Sequence, residues 1–259
     1  MVKRVALSAG EITMAYFDEG LDLQVETKSD DSPVTQADRE AEAFIQKALK
    51  EILPEVLVVG EEAFALGHAP DVQGAEYFWL VDALDGTKEF IEGGGEFTVN
   101  IGLIHHGVPI LGVVYAPAKG MLYAGCGEGT ATRWLEENDQ EKPIAVRQAP
   151  RAGLTVVASK SHGDASRQEK FLEGFKIEKI IKRGSSLKIC AIAGGKADLY
   201  PRFGKTCEWD TAAADAVLRS AGGSIRDCQG RPLVYGGTDP HWYNPEFIAS
   251  AFDWFSEPL

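Results

Sequence analysis

Apolar positions in the first part of the chain follow the helical period and then alternate. Residues Val2 to Phe17 carry apolar side chains on one face, which predicts an amphipathic helix, and residues 21–27 alternate as a strand would. A second helix is predicted from about Gln36 to Ile52, where Thr35 can cap its start and Pro54 ends it.

The following apolar runs are short and separated by turn residues, which indicates strands. A run over 56–59 precedes the acidic tripeptide GEE, and the bulky run over 77–81 is typical of a buried strand. Four further strands are separated by HHG, AKG and GEG, which favour antiparallel hairpins: 97–104, 108–117, 121–126 and 131–137.

The pattern changes after the polar segment ENDQEKP, which we interpret as a loop and domain seam. Strands and helices then alternate: strand 154–159, helix 166–174, strand 177–181, helix 185–193, strand 197–202 and helix 211–221. This order predicts a mainly antiparallel α+β domain over residues 1–150, followed by a smaller α/β domain over residues 151–259.

The segment WLVDALDGTKEF carries the most informative chemistry. Asp82 and Asp85 leave an apolar strand together, and the free N–H groups of Gly86 and Thr87 are expected to face the same carboxylates. Hard cations such as Mg²⁺ take carboxylate and phosphate oxygens as ligands. The segment therefore indicates metal-assisted phosphate chemistry.

The net charge limits the kinds of partner that the chain is expected to bind. The net charge of −13 and the sequence pI near 4.9 disfavour nucleic-acid polymers and anionic membranes as partners. The four cysteines show no CxxC pairing. Near the N-terminus, Glu11 interrupts the long apolar stretch that a signal peptide requires. With no run long enough to span a membrane, we expect a cytoplasmic protein, and peripheral association with the inner face of the membrane stays open.

Each acidic residue also has an ordinary explanation. Asp38 can favour the positive end of its helix, Asp210 can be the N-cap of the last helix, and Glu61 can be a solvated loop acid. If Glu61, Asp82, Asp85 and Asp210 converge, however, each pair repels by about 3 kcal/mol at about 6 Å and an effective dielectric near 20. Bound cations would remove that cost.

Seven segments together resemble one family along essentially the whole chain. They are SPVTQADREAE, VVGEE, WLVDALDGTKEF, GEFTVNIGLI, GVVYAP, SKSH and PRFGKTCEWDTAAADAVLRSAGG. The chain resembles the inositol monophosphatase superfamily, and DGTKEF, SKSH, SSLK and CEWDTAA resemble its 3'(2'),5'-bisphosphate nucleotidase branch of the CysQ type. The resemblance implies a layered αβαβα sandwich, an α+β and α/β architecture.

The resemblance also implies the metal ligands. Glu61, Asp82 and the carbonyl of Leu84 would bind one Mg²⁺, and Asp82, Asp85 and Asp210 would bind a second. Whether a third Mg²⁺ joins during turnover stays open. Ala83 replaces the family's usual proline between the paired aspartates, a change that removes no ligand.

The same resemblance assigns catalytic roles to Asp38 and Thr87 as well as Glu61. Asp38 would take the Thr87 hydroxyl proton, so that Thr87 can accept a proton from the attacking water. The amides of Gly86 and Thr87 would hold phosphate oxygens at a helix start.

Nucleotide contacts are implied from the second half of the chain. Ser159, His162, Gly184 and Lys188 would line the pocket together with Asp210, and Lys188 would offer a positive charge to a 5'-phosphate. From the residues alone, Lys188 is an ordinary solvated helix lysine and His162 an ordinary loop histidine.

The function implied is hydrolysis of the 3'-phosphate of 3'-phosphoadenosine 5'-phosphate to AMP, in sulfur-assimilation recycling, with 3'-phosphoadenosine 5'-phosphosulfate as a further substrate. An inositol or other polyol monophosphatase is the nearest alternative. A nucleotide-binding protein without catalysis is the third, and a homodimer is compatible with the sequence.

Overall fold

The computed structural model of the chain describes residues 1–19, 25–27, 33–159, 165–237 and 239–255. Its helices are α1 Val2–Glu19, α2 Gln36–Ile52, α3 Glu61–Ala65, α4 Thr87–Ile91, α5 Ala165–Leu172, α6 Leu187–Ala193 and α7 Glu208–Ser220. Its strands are β1 Glu26–Thr27, β2 Pro33–Val34, β3 Leu57–Gly60, β4 Tyr77–Asp85, β5 Thr98–His105, β6 Val108–Ala116, β7 Met121–Gly125, β8 Thr132–Leu135, β9 Gln140–Pro143, β10 Leu154–Ser159, β11 Ile177–Arg183, β12 Leu199–Arg202, β13 Ser224–Asp227 and β14 Phe247–Ser250.

A seven-stranded sheet with the order β3-β4-β5-β6-β7-β8-β9 organises the first half. β3 and β4 are parallel, and the remaining pairs form the antiparallel meander that the turn residues predict. The interpretation of ENDQEKP as a loop is wrong, because most of it forms a tight turn at Asp139 (φ 49°) and the edge strand β9. All four residues of β9 are exposed, so no apolar alternation marks it in the sequence.

Helices cover both faces of this sheet. Along β4, Trp79 and Val81 pack with α1 and α2, whereas Phe78 and Leu80 face the core shared with α6 and α7. α7 approaches so closely that a Cβ at Gly112 would lie 2.0 Å from the carbonyl oxygen of Ala213 in α7. Glycine is therefore required at this contact.

A second, five-stranded sheet has the order β11-β10-β12-β14-β13. β10 is parallel to both its neighbours, and β14 is antiparallel to β12 and β13. One face meets α6 and α7, and the other face packs Val156, Leu199 and Ile248 near α5 residues such as Leu172. The layers are thus α1/α2, first sheet, α6/α7, second sheet and α5, which confirms the expected αβαβα arrangement.

Several predicted boundaries move. The last helix begins at Glu208 instead of Thr211, with Cys207 at its N-cap, so the prediction of Asp210 as the N-cap is wrong. Of the predicted strand over 21–27, Glu26 and Thr27 form a strand, and residues 21–24 lie outside the described residues. The division into domains at residue 150 stays a prediction. No helix of the described residues has the length and apolar character needed to cross a bilayer.

Candidate active site

A bulge near the end of β4 brings its two aspartates to one face. β4 continues through Asp85 instead of ending at Val81, and its pairing with β5 shifts between Asp82 and Asp85. Asp82 lies opposite Asn100 and Asp85 opposite Thr98, so three steps along β4 match two along β5. Regular alternation would put residues three apart on opposite faces, and one extra residue restores them to the same face.

The parallel pairing of β3 with β4 places Glu61 next to this bulge. Gly60 is opposite Val81, so the residues that follow them, Glu61 and Asp82, are neighbours at the ends of the two strands. The start of α3 is held by the buried carboxylate of Glu42, which accepts hydrogen bonds from the N–H groups of Glu62 and Ala63, both at 2.8 Å. Sequence reasoning missed Glu42, although its spacing three residues before Ile45 and seven before Leu49 puts this acid on the buried face of α2.

The third carboxylate comes from α7. Asp210 is the third residue of this helix, and its carboxylate accepts a hydrogen bond from the N–H of Cys207 at 2.8 Å. Carboxylate oxygens of Glu61, Asp82 and Asp210 all lie within 4.8 Å of one another. Residues almost 150 positions apart thus converge as the sequence predicts.

The electrostatics of this cluster favour a cation. Burial raises the pKa of Asp82 well above its ordinary value, and the charges of Glu61, Asp85 and Asp210 raise it further. Burial likewise raises the pKa of Asp210, with Asp85 and Glu61 adding to the effect. Proton uptake or a bound cation relieves the repulsion, and an all-oxygen donor set of this kind suits Mg²⁺. The residues present therefore fit the expected metal.

Asp85 is held by the second half of the chain. Its Oδ2 accepts hydrogen bonds from the Ser186 N–H at 2.7 Å and from the Ser185 hydroxyl at 2.8 Å. The Ser186 hydroxyl in turn donates to the carbonyl oxygen of Asp210 at 2.7 Å, which links two of the predicted ligands. Sequence reasoning missed both serines as supports, because the contact joins residues about 100 positions apart.

The predicted pair of Asp38 and Thr87 is present. The Thr87 hydroxyl donates to Asp38 Oδ1 at 3.0 Å and also lies 3.2 Å from the carbonyl oxygen of Leu84. Asp38 Oδ2 accepts from the N–H of Thr35 at 2.8 Å and from its hydroxyl at 2.6 Å. Asp38 therefore caps its helix and contacts Thr87 at the same time, so the two interpretations of this residue are both correct structurally.

Gly86 forms the turn between the bulge and α4. Its φ of 97° lies in the left-handed region, and a Cβ there would meet the carbonyl oxygen of Glu96 at 3.2 Å. Glycine meets both demands without strain. The turn carries Thr87 into the first position of α4, which orients its hydroxyl toward Asp38.

The carboxylates open into a cavity of about 500 Å³, a size typical of small-molecule sites. Ser159 and Lys188 line it, as predicted. His162 lies outside the described residues, and among those described the lining residues do not include Gly184, whose N–H instead donates to Glu96 at 2.7 Å. The Gly184 amide is thus used in a contact with that carboxylate, and a contact of Gly184 with the nucleotide stays a prediction.

Further cavity residues were not predicted from the sequence. They share polar or aromatic character and surround the predicted ligands: Lys88, Glu89, Ser185, Ser186, Tyr200, Arg202, Lys205 and Phe247. Tyr200 and Arg202 lie in a predicted strand, and Arg202 also lies in the segment PRFGKTCEWD that carries the family resemblance, but neither residue was assigned a role. The available indication was the basic residue Lys205, two positions before the CEWD motif.

Lys188 is partly buried beside the acidic residues. Burial lowers the pKa of its ammonium group, and the negative charges of Asp85, Glu89 and Asp210 oppose that effect. Its Nζ lies 5.8 Å from the centre of the Tyr200 ring. This burial contradicts the interpretation of Lys188 as an ordinary solvated lysine.

The fold and the site together define a phosphatase with acidic residues arranged for a divalent cation. The sequence pattern of the Inositol monophosphatase family matches residues 2–252, and the chain belongs to that family. The resemblance seen in the motifs is therefore confirmed.

Individual relatives give a more specific match than the family pattern does. The 3'(2'),5'-bisphosphate nucleotidase CysQ of Escherichia coli (strain K12) is 45% identical over 257 residues, which cover 97% of this chain and 98% of that protein. The crystal structure of CysQ from Bacteroides thetaiotaomicron matches with a TM-score of 0.80 at 35% identity, covering 95% of this chain and 94% of that one. An inositol monophosphatase of Thermotoga maritima shares the fold, with a TM-score of 0.76 at 23% identity.

Proposed function

We propose that the protein is a Mg²⁺-dependent 3'(2'),5'-bisphosphate nucleotidase that hydrolyses the 3'-phosphate of 3'-phosphoadenosine 5'-phosphate to AMP and phosphate. The observation that carries the proposal is the convergence of Glu61, Asp82 and Asp210 beside the Asp38–Thr87 pair in one cavity. A relative that matches over nearly the full chain and is named as a 3'(2'),5'-bisphosphate nucleotidase supports the choice of substrate. We place the reaction in sulfur-assimilation recycling in the cytoplasm, with 3'-phosphoadenosine 5'-phosphosulfate as a second substrate.

The carboxylates would hold Mg²⁺. We assign one ion to Glu61, Asp82 and the carbonyl of Leu84, and a second to Asp82, Asp85 and Asp210. When bound, the metal polarises the phosphate and lowers the cost of deprotonating the attacking water. The pKa values of Asp82 and Asp210, raised by burial and by their acidic neighbours, support this assignment because a buried acidic cluster needs a counterion.

Asp38 and Thr87 would move the proton. Because the Thr87 hydroxyl donates to Asp38, the lone pairs of its oxygen face away from the carboxylate and can accept a proton from water. The second acceptor position of Asp38 is filled by Thr35, which fixes the carboxylate in this orientation. The amides of Gly86 and Thr87 would bind phosphate oxygens at the start of α4.

Lys188 distinguishes a bisphosphate from a polyol phosphate. A partly buried ammonium is stabilised by an anionic partner within reach, and a 5'-phosphate supplies one in addition to the nearby carboxylates. Arg202 and Lys205 add positive charge to the same cavity. A polyol monophosphate carries only one phosphate, so it would neutralise less of the positive charge of these three side chains.

The test is phosphate release from 3'-phosphoadenosine 5'-phosphate and from inositol 1-phosphate, each with and without Mg²⁺. We expect kcat/KM for the nucleotide to exceed that for inositol 1-phosphate by more than about tenfold, or about 1.4 kcal/mol in transition-state binding. A smaller preference would favour a polyol monophosphatase. Binding of the nucleotide without any phosphate release would favour a non-catalytic binder.

A further inference from the structure

A second group of metal-ligating side chains lies at the far end of β4 from the active site. Glu76, His105 and His106 each offer one ligand atom, and these atoms lie within 4.8 Å of one another. Glu76 precedes β4, and the two histidines occupy the hairpin between β5 and β6. The proposed reaction uses none of them.

The strand pairing brings these residues together. Tyr77 is opposite His105 in the antiparallel pairing of β4 with β5, and the N–H of His106 donates to the carbonyl oxygen of Glu76 at 3.0 Å. The His105 ring stacks on the Tyr77 ring, with centroids 4.4 Å apart and planes 19° apart. The His106 ring centre lies 4.4 Å from that of His105. Backbone pairing therefore brings the three residues together, and ring contacts orient the two imidazoles.

The turn that carries the histidines is itself fixed. His106 has a φ of 48° in the left-handed region, and Gly107 follows it with a φ of 76°. The carbonyl oxygen of Gly107 accepts a hydrogen bond from the N–H of Tyr235 at 3.0 Å, and a Cβ at Gly107 would lie 2.9 Å from Val234. This hairpin tip is docked on a neighbouring loop, so the backbone that carries the two histidines is held by the fold.

The donor set differs in kind from that of the active site. Two imidazoles and one carboxylate suit Zn²⁺ and related transition metals, whereas an all-oxygen set suits Mg²⁺. Ligand atoms about 2.0 Å from a tetrahedral metal lie about 3.3 Å apart. The separation of His105 Nε2 from Glu76 Oε1 is 3.4 Å, close to that value and longer than a usual hydrogen bond.

We propose that Glu76, His105 and His106 form a binding site for one transition-metal ion of the Zn²⁺ type, with water completing its coordination. Glu76 and His106 are exposed, so the ion can reach the site and keep a water ligand. Tyr77 and Asp82 are five residues apart on one strand, or about 16 Å. The bound ion ties the start of β4 to the β5–β6 hairpin and leaves the catalytic carboxylates untouched.

The test is calorimetric titration of the full chain with Zn²⁺ in excess Mg²⁺, which occupies the carboxylate cluster. We expect one Zn²⁺ per chain, with affinity at least tenfold weaker in His106→Asn and in His105→Gln. Asn tolerates the left-handed backbone at position 106, so that variant keeps the turn. His241→Asn, which removes an exposed histidine outside the group, is the matched control and should bind as the original chain does.

Thermal unfolding gives an independent readout. Because a ligand that binds only the folded state stabilises it, Zn²⁺ should raise the Tm of the original chain and of His241→Asn but not that of His106→Asn. The rate of phosphate release in saturating Mg²⁺ should be the same for all of them. Equal Zn²⁺ affinity in the original chain, His106→Asn and His105→Gln would overturn the proposal, as would loss of the Zn²⁺ site on Asp82→Asn alone.

Discussion

Replacement of Asp38 by asparagine separates its two structural roles. In the native chain, one carboxylate oxygen accepts two hydrogen bonds from Thr35 and the other accepts a hydrogen bond from the Thr87 hydroxyl. Asparagine keeps an oxygen for Thr35 but presents an NH₂ group to Thr87, so the Thr87 hydroxyl can no longer donate there. The helix cap is largely retained, whereas the proton path is lost.

The magnitudes differ enough to be measured. Two hydrogen bonds from Thr35 change from a charged to a neutral acceptor, which costs about 1 to 2 kcal/mol of stability in total. Loss of general-base assistance costs about 10² to 10⁴ in turnover, or about 2.7 to 5.5 kcal/mol in the barrier. Asp38→Asn should therefore lower kcat by about 10² or more while the protein stays folded.

The assay is phosphate release with saturating Mg²⁺, combined with urea unfolding of the same samples. Thr87→Val is the matched variant, since it has nearly the shape of threonine and lacks the hydroxyl. If Asp38 and Thr87 act as one unit, the double variant should lose no more activity than the worse single variant. Unchanged kcat in Asp38→Asn with reduced stability, or fully additive losses in the double variant, would refute the reasoning.

Three further predictions concern packing, pH dependence and substrate binding. Gly112→Ala should lower the free energy of unfolding, measured by urea titration, by about 1 to 3 kcal/mol or more, because its methyl group would clash with the α7 backbone. Gly174→Ala, with open space around the residue, is the control and should change this free energy little. Burial raises the pKa of Glu208 from 4.5 to about 7, so the folded state holds this proton more tightly and the free energy of unfolding should fall as pH rises from about 4.5 to 7. Urea unfolding of Glu208→Gln in EDTA should show a smaller fall over the same pH range, and an unchanged dependence of the free energy on pH would contradict this origin. Lys188→Ala should raise KM for 3'-phosphoadenosine 5'-phosphate more than for 3'-AMP, with the exposed Lys179→Ala as control, and equal increases would reject a 5'-phosphate contact.

Elements with a strong apolar period could be predicted from the sequence. Helix α2 has the predicted bounds, and the antiparallel meander follows the turn residues between its strands. The edge strand β9 could not be predicted, because its residues are all exposed and polar and its place is fixed by pairing with β8. The start of α7 was placed three residues late, because Cys207 caps it and Cys is not a usual cap residue.

The acidic residues of the site could be predicted, but not what supports them. Asp82 and Asp85 stand out in the sequence, whereas the bulge that turns them to one face appears only in the pairing of β4 with β5. Glu42 fixes the start of α3, where Glu61 lies, and Ser186 holds Asp85, both through contacts between distant segments. Long-range hydrogen bonds of this kind leave no local pattern, so they become visible only in the folded chain.

The most direct test of the account is the position of the bound metal in crystals of the protein. Crystals soaked in Mn²⁺, which takes the same oxygen ligands as Mg²⁺ and scatters anomalously, should show an anomalous peak among Glu61, Asp82 and Asp210. The peak should disappear in Asp82→Asn crystals. A well-ordered cluster without any peak, or peaks only elsewhere on the protein, would contradict the claim that these carboxylates bind the catalytic metal.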